Sequence, residues 1–128
     1  MTTLIICLII AVLLPYLVKI PLSVAMNKAG GYDNHYPREQ QGRLQGFGAR
    51  AAGAHQNCFE SLAVFSPAAL TAMVTNNLSM TIQYLAIAYI IARIVYIFLY
   101  FMDLATLRST VWIISLVCCV SMLWICIP

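Results

Sequence analysis

Long runs of apolar residues, separated by short polar stretches, dominate this chain. Four runs are long enough to cross a bilayer, because about 20 apolar residues span the hydrocarbon layer and a helix satisfies its own backbone polar groups. The pattern therefore predicts an all-α membrane protein, a bundle of four transmembrane helices forming one domain over residues 1–128. The predicted helices cover about residues 4–26, 51–74, 78–102 and 107–127.

Composition supports this interpretation, since 62% of the residues are hydrophobic and only 9% are charged. A small water-soluble domain could not bury so much apolar surface. The first run is too long for a signal peptide and no Lys or Arg precedes it, so we expect it to remain in the protein. Asn76 and Asn77 predict a tight turn between the second and third helices.

Residues 27–50 form the one long polar stretch. Its glycines and Pro37 disfavour regular structure, which predicts a solvated connection. An ordered lid over a pocket is the alternative.

The placement of the basic residues predicts the orientation of the helices. The net charge is only +3, but Lys28, Arg38, Arg43 and Arg50 flank the first loop and Arg108 precedes the fourth helix. The positive-inside rule then predicts a cytoplasmic loop with both termini outside. No basic run is dense enough for nucleic acid. The five cysteines are odd in number and lack a CxxC pair, so neither a disulfide framework nor a metal site is indicated.

The second helix must carry polar residues into the membrane. Its purely apolar run, residues 61–74, spans only about 21 Å. Counted from the Asn76–Asn77 turn, Glu60 lies as far before the turn as Arg93 lies after it, which predicts a buried ion pair at one depth. The same count predicts a weaker pair between Arg50 and Asp103 at the edge of the membrane. A buried pair that only fixes helix register remains the alternative to a functional site.

Two polar faces meet in this scheme. The count sets Asn57 level with Tyr96 and Gly53 level with Tyr100. Positions 50, 53, 57 and 60 step by three or four residues, as do positions 93, 96, 100 and 103, so each set occupies one face of its helix.

The stretch from Arg50 to Glu60, with Asn57 three residues before the Glu, resembles the second-helix signature of the MAPEG family (membrane-associated proteins in eicosanoid and glutathione metabolism). Further residues are similar to the family's third-helix Arg and Tyr and its fourth-helix Arg-Ser pair. These later positions are Arg93, Tyr96, Tyr100, Arg108 and Ser109.

The resemblance implies a fold, a ligand and an assembly. The family includes membrane-bound glutathione transferases, prostaglandin E synthase and leukotriene synthase, which are homotrimers that bind glutathione between subunits. It implies glutathione as co-substrate, a hydrophobic electrophile that arrives through the lipid, and Arg108 and Ser109 as the catalytic residues that act on the thiol. The glutathione-binding residues that it implies are Arg50, Asn57, Glu60, Arg93, Tyr96 and Tyr100.

Four positions depart from the family pattern. Gly53 and Gln56 stand where several members carry Arg, which predicts weaker anchoring of a carboxylate. Trp112 stands where some members have Tyr, and indole has no hydroxyl to offer a thiolate. Tyr96 replaces a His of some relatives, so the substrate cannot be inferred from any one of them.

Two other functions compete with a transferase or peroxidase. A catalytically silent relative would keep the buried pair for assembly and act as a binding or structural subunit. A small multidrug transporter is compatible with four helices and a membrane carboxylate, although a paired Glu60 would leave no carboxylate free for a proton cycle. The short chain favours a bacterial protein in the inner membrane.

Overall fold

The computed structural model describes residues 1–127, and the regular secondary structure over that range is helical. Four of its helices are long and apolar enough to cross a membrane, which confirms the predicted all-α architecture. A fifth, short helix lies in the first connection. The helices are α1 (Thr2–Lys28), α2 (Pro37–Arg43), α3 (Phe47–Val74), α4 (Met80–Phe101) and α5 (Ala105–Ile125).

Short turns make α4 antiparallel to α3 and α5 antiparallel to α4. Asn76, with φ of 54°, allows the predicted turn after α3, and the Asn77 side chain donates a 3.0 Å hydrogen bond to the Ile125 carbonyl at the end of α5. That end of the bundle also holds the start of α1. We call the opposite end, where residues 29–46 and the Met102–Leu104 turn lie, the loop end.

The first connection is more ordered than its glycine content predicts. Pro37 opens α2 at a position where its missing N–H costs nothing. The Gln40 side chain donates to the carbonyls of Met26 and Gly31 and accepts from the N–H of Asp33. The prediction of a connection without regular structure over residues 27–50 is wrong for α2 and for the start of α3, and side-chain hydrogen bonds of Gln40 order the stretch despite its glycines. Helix α3 begins at Phe47, four residues earlier than predicted.

Small residues let the helices approach closely. Ala68, Ala69 and Ala72 of α3 are fully buried in the main apolar cluster, which α1, α4 and α5 complete with Leu4, Ile82 and Met122 among others. Within it, the rings of Phe65 and Tyr89 stack with centroids 4.1 Å apart. This packed half of the bundle lies away from the loop end, and the polar residues of α3 and α4 lie between it and that end.

Candidate functional site

Arg93 is the one charged residue that is fully buried in the described chain, with no exposed surface. Its Nη2 donates a 2.6 Å hydrogen bond to Oδ1 of Asn57 on α3. Nε and Nη1 find no acceptor among residues 1–127. The buried Cys58 thiol lies near the guanidinium, but sulfur is only a weak acceptor. Arg93 therefore has two hydrogen-bond donor nitrogens inside the bundle that are not used by the described residues.

Glu60 does not form the predicted ion pair with Arg93. The described residues contain one salt bridge, between Arg43 and Glu39 on exposed α2. Glu60 is exposed, and its carboxylate accepts 3.0 Å and 3.4 Å hydrogen bonds from Asn57 and Gln56. The count from the Asn76–Asn77 turn predicted how deep Glu60 lies along α3, but not the direction in which its side chain points around the helix. Three residues turn a helix by about 300°, so Glu60 lies about 60° around α3 from the inward-facing Asn57.

Arg93 begins an array in which two cations flank a pair of aromatic rings. Its guanidinium carbon lies 4.1 Å from the ring centroid of Tyr96. The rings of Tyr96 and Tyr100 meet edge to face, with centroids 5.7 Å apart. The guanidinium carbon of Arg108, from α5, lies 4.1 Å from the Tyr100 centroid. Two separate positive charges are thus held over tyrosine faces, an arrangement that is favourable where water is scarce.

Gly53 is the point where α3 meets Tyr100, as the count predicted. A Cβ at this position would lie 2.7 Å from Cζ of Tyr100 and closer still to its hydroxyl oxygen. Real Cβ contacts are never that short. The glycine therefore leaves the space that the tyrosine ring fills.

Arg50 and Ser109, two further predicted site residues, lie outside this array. Arg50 Nε donates a 3.2 Å hydrogen bond to the carbonyl of Phe101, not to Asp103. The predicted Arg50–Asp103 pair is wrong because Asp103 takes the turn position, with φ of 61°, and faces solvent. Ser109 is exposed on the first turns of α5, beside the half-buried Arg108.

A small cleft of about 100 Å³ opens beside Glu60, between α3 and α5. The exposed Trp112 lies at its α5 wall, and Ser115 and Cys119 lie deeper. A larger open trough of about 1410 Å³ lies between the end of α1 and α2 and contains none of the array residues. The charged and aromatic array, not the size of the hollow, marks the candidate site. Among the described residues, no three His, Cys, Asp or Glu side chains are placed to hold a metal ion.

Six of the eight predicted site residues are thus brought together: Asn57, Glu60, Arg93, Tyr96, Tyr100 and Arg108. Sequence reasoning missed the stacking of Arg108 on Tyr100 and the role of Gln56 as a donor to Glu60. Spacing within α3 could have suggested the second, because positions 56 and 60 are helical neighbours. Nothing in the sequence indicated the first.

The comparisons with known proteins agree with this architecture. No curated protein and no solved structure matches the chain at the significance required of a relative. The model of the MAPEG family matches residues 3–128, essentially the whole chain. The chain is therefore a multi-pass membrane protein that belongs to the MAPEG family.

Proposed function

We propose that this protein is a glutathione-dependent transferase or peroxidase that acts, as a homotrimer, on hydrophobic electrophiles in the membrane. One observation carries the proposal. Arg93 is fully buried with two unpaired donor nitrogens, and Glu60 exposes an unneutralised carboxylate one helical turn from the partner of Arg93. The array therefore holds a buried cation with unused donors beside an exposed anion, and a ligand that displaces the side chains covering Arg93 can meet both.

Glutathione matches this pair of charges. It carries two carboxylates and one free amine, so the unpaired donors of Arg93 bind a carboxylate and Glu60 binds the amine. Arg50, on the same face of α3, is the second candidate for a carboxylate. Tyr96 and Tyr100 line the space between Arg93 and Arg108. Their positions set the distance along α4 that the bound ligand must span.

The depth of Glu60 supports an assembly as well as a ligand. It lies about 20 Å from the Val74 end of α3, and a bilayer core is about 30 Å thick. An exposed carboxylate at that depth is costly to leave against lipid. A neighbouring subunit that covers this face, with glutathione between the two, removes that contact. The loop end would then face the cytoplasm, as its basic residues predict.

Arg108 is placed to activate the thiol. A free thiol has a pKa of about 8.5 and is mostly protonated at neutral pH, while the thiolate is the nucleophile. The guanidinium and the N-terminal end of α5 are both positive, so together they stabilise an anion. Ser109 adds a hydroxyl donor. The sulfur lone pair then forms a bond to the electrophilic carbon, and the leaving group departs with its bonding electrons.

The two guanidinium groups of the array lie at different places along the bundle. One can therefore bind the peptide while the other acts on the sulfur. Arg93 lies deep and takes the peptide, whereas Arg108 lies at the loop end and meets the sulfur. The cleft beside Glu60 and Trp112 lies on the face that the neighbouring subunit would cover, and its apolar lining, with Val64 and Leu116, suits the apolar part of an electrophile.

Calorimetric titration of the purified protein with glutathione tests the proposal. We expect saturable binding that Glu60→Gln and Arg93→Leu each weaken at least tenfold. Glu39→Gln is the matched control, because that carboxylate lies on exposed α2. Turnover with an activated aryl halide or an organic hydroperoxide then assigns transferase or peroxidase chemistry.

Absence of saturable binding would contradict the proposal and favour the silent, structural subunit. The direct Glu60–Arg93 pair no longer argues against a transporter, since it is not formed. Proton-driven dye efflux from vesicles would establish that alternative, against which family membership now stands.

A further inference from the structure

Tyr100 contacts three elements at once. Its hydroxyl end lies against the backbone of α3 at Gly53, one face lies 4.1 Å from the Arg108 guanidinium of α5, and its ring meets Tyr96 of its own helix. Arg108 itself is half-buried. The ring is therefore a spacer that connects α3 with the cation at the start of α5.

We propose that Gly53 is a positioning residue that, by lacking a side chain, sets the place of the Arg108 guanidinium through the ring of Tyr100. This inference rests on the proposed function, in which Arg108 stabilises the glutathione thiolate. Gly53 is not a catalytic residue, because it touches the ring and not the reacting sulfur.

An added Cβ at position 53 would overlap the place that the Tyr100 ring occupies when it contacts Arg108. A Cβ at position 53 would lie 2.7 Å from Cζ, so the ring must turn away from α3. Tyr96 blocks movement along the helix, since its own ring is held beneath Arg93. Aromatic side chains occupy a few discrete rotamers, so a crowded Tyr100 changes rotamer and leaves the guanidinium face.

Loss of the contact between the Tyr100 ring and the Arg108 guanidinium should affect the reaction rate more than the affinity for glutathione. A cation held over an aromatic ring keeps one geometry, whereas a released Arg side chain samples many. We expect Gly53→Ala to lower kcat on the order of tenfold and to shift the pH profile of the rate to higher pH, because the thiolate loses its fixed cation. The KM for glutathione should change less than kcat, because the charged anchors Arg93 and Glu60 keep their places.

The experiment compares Gly53→Ala, Tyr100→Leu and the double variant, with Gly42→Ala as the matched control. Gly42 lies on α2, where an added Cβ meets nothing within 4 Å. Two readouts are taken: the rate of Arg108 modification by phenylglyoxal, mapped by mass spectrometry without glutathione, and the pH profile of kcat and KM. The expected result is faster Arg108 modification and the same shifted profile in both single variants, with no further change in the double variant.

A Tyr100→Phe variant and a check on assembly complete the experiment. Tyr100→Phe added to Gly53→Ala should recover part of the protection of Arg108, because it removes the atom closest to the new Cβ. Unchanged modification in Gly53→Ala would overturn the inference. If Gly53→Ala fails to assemble, the double variant without the ring must assemble, and its failure would also overturn it. A wild-type protein that binds no glutathione contradicts the proposed function, while the modification rates still decide the geometry.

Discussion

Asn57 and Arg93 are joined by a 2.6 Å hydrogen bond across the interface of α3 and α4. Asn57 also contacts Glu60, because its amide nitrogen donates a 3.0 Å hydrogen bond to the carboxylate. A neutral amide thus connects a buried cation to an exposed carboxylate. The two charges stay available for other partners, which a direct ion pair would not allow.

Asn57→Leu should destabilise the protein by about 2–3 kcal/mol, since it removes the one strong acceptor of a buried guanidinium. Thermal unfolding of the purified protein in detergent measures the change. Adding Arg93→Leu should restore most of the loss, because no buried charge is then left without an acceptor.

Two single variants serve as controls for this prediction. Glu60→Gln and Gln56→Leu should alter the unfolding temperature little, because both residues are exposed. If Glu60→Gln unfolds as readily as Asn57→Leu, the carboxylate pairs with Arg93 in solution after all.

The depth of the polar residues could be predicted from the sequence, but their direction could not. Counting from one turn correctly set Gly53 against Tyr100. Arg93 instead reaches Asn57, one helical turn nearer the loop end than Glu60, and Tyr89 likewise donates to Ser61 and not to the residue level with it. Long side chains extend about a turn beyond their own Cα, so equal counts do not fix which atoms meet.

Loop structure escaped prediction for a different reason. Secondary-structure propensity describes the backbone preferences of single residues. Helix α2, however, is held by hydrogen bonds between the Gln40 side chain and three backbone groups up to 14 positions away. The Arg108–Tyr100 contact is equally tertiary, because the two residues lie on different helices. Family signatures place such residues in a site without giving their contacts.

Gln40→Leu should loosen residues 29–36 while leaving the four long helices intact. Leucine has a similar size but cannot replace the three hydrogen bonds. Limited digestion with trypsin measures the effect, and cleavage at Arg38 should become several times faster. Gln45→Leu, an exposed glutamine beyond α2, is the control, and equal cleavage in both variants would contradict the proposed role of Gln40.

The stability of the protein should depend on the backbone conformation at Asp103 but not on the charge of its side chain. Its φ of 61° lies in the left-handed region, so Asp103→Val should cost about 1–2 kcal/mol. Asp103→Gly should be neutral or slightly stabilising, and Asp103→Asn should be mild, because no ion pair with Arg50 is lost. Unfolding temperatures of the three variants decide, and a large loss in Asp103→Asn would show that the carboxylate itself is needed.

Arg108 carries the central claim, because it is the charge nearest the proposed thiolate. Arg108→Ala should leave the proposed trimer folded and the proposed glutathione binding largely intact, yet slow conjugation by about 10² or more, as the loss of a preorganised charge does. Arg108→Lys should restore part of the rate, since the charge remains but the planar fork is lost. Size-exclusion chromatography checks assembly, and a variant that falls apart would make Arg108 structural.

The most direct measurement is the ultraviolet absorbance of the thiolate when glutathione is added to the purified protein at neutral pH. The wild-type protein should develop a saturable thiolate band, and Arg108→Ala should bind glutathione without developing it. Binding with no thiolate band in the wild-type protein, or an equal band in Arg108→Ala, would contradict the proposed mechanism.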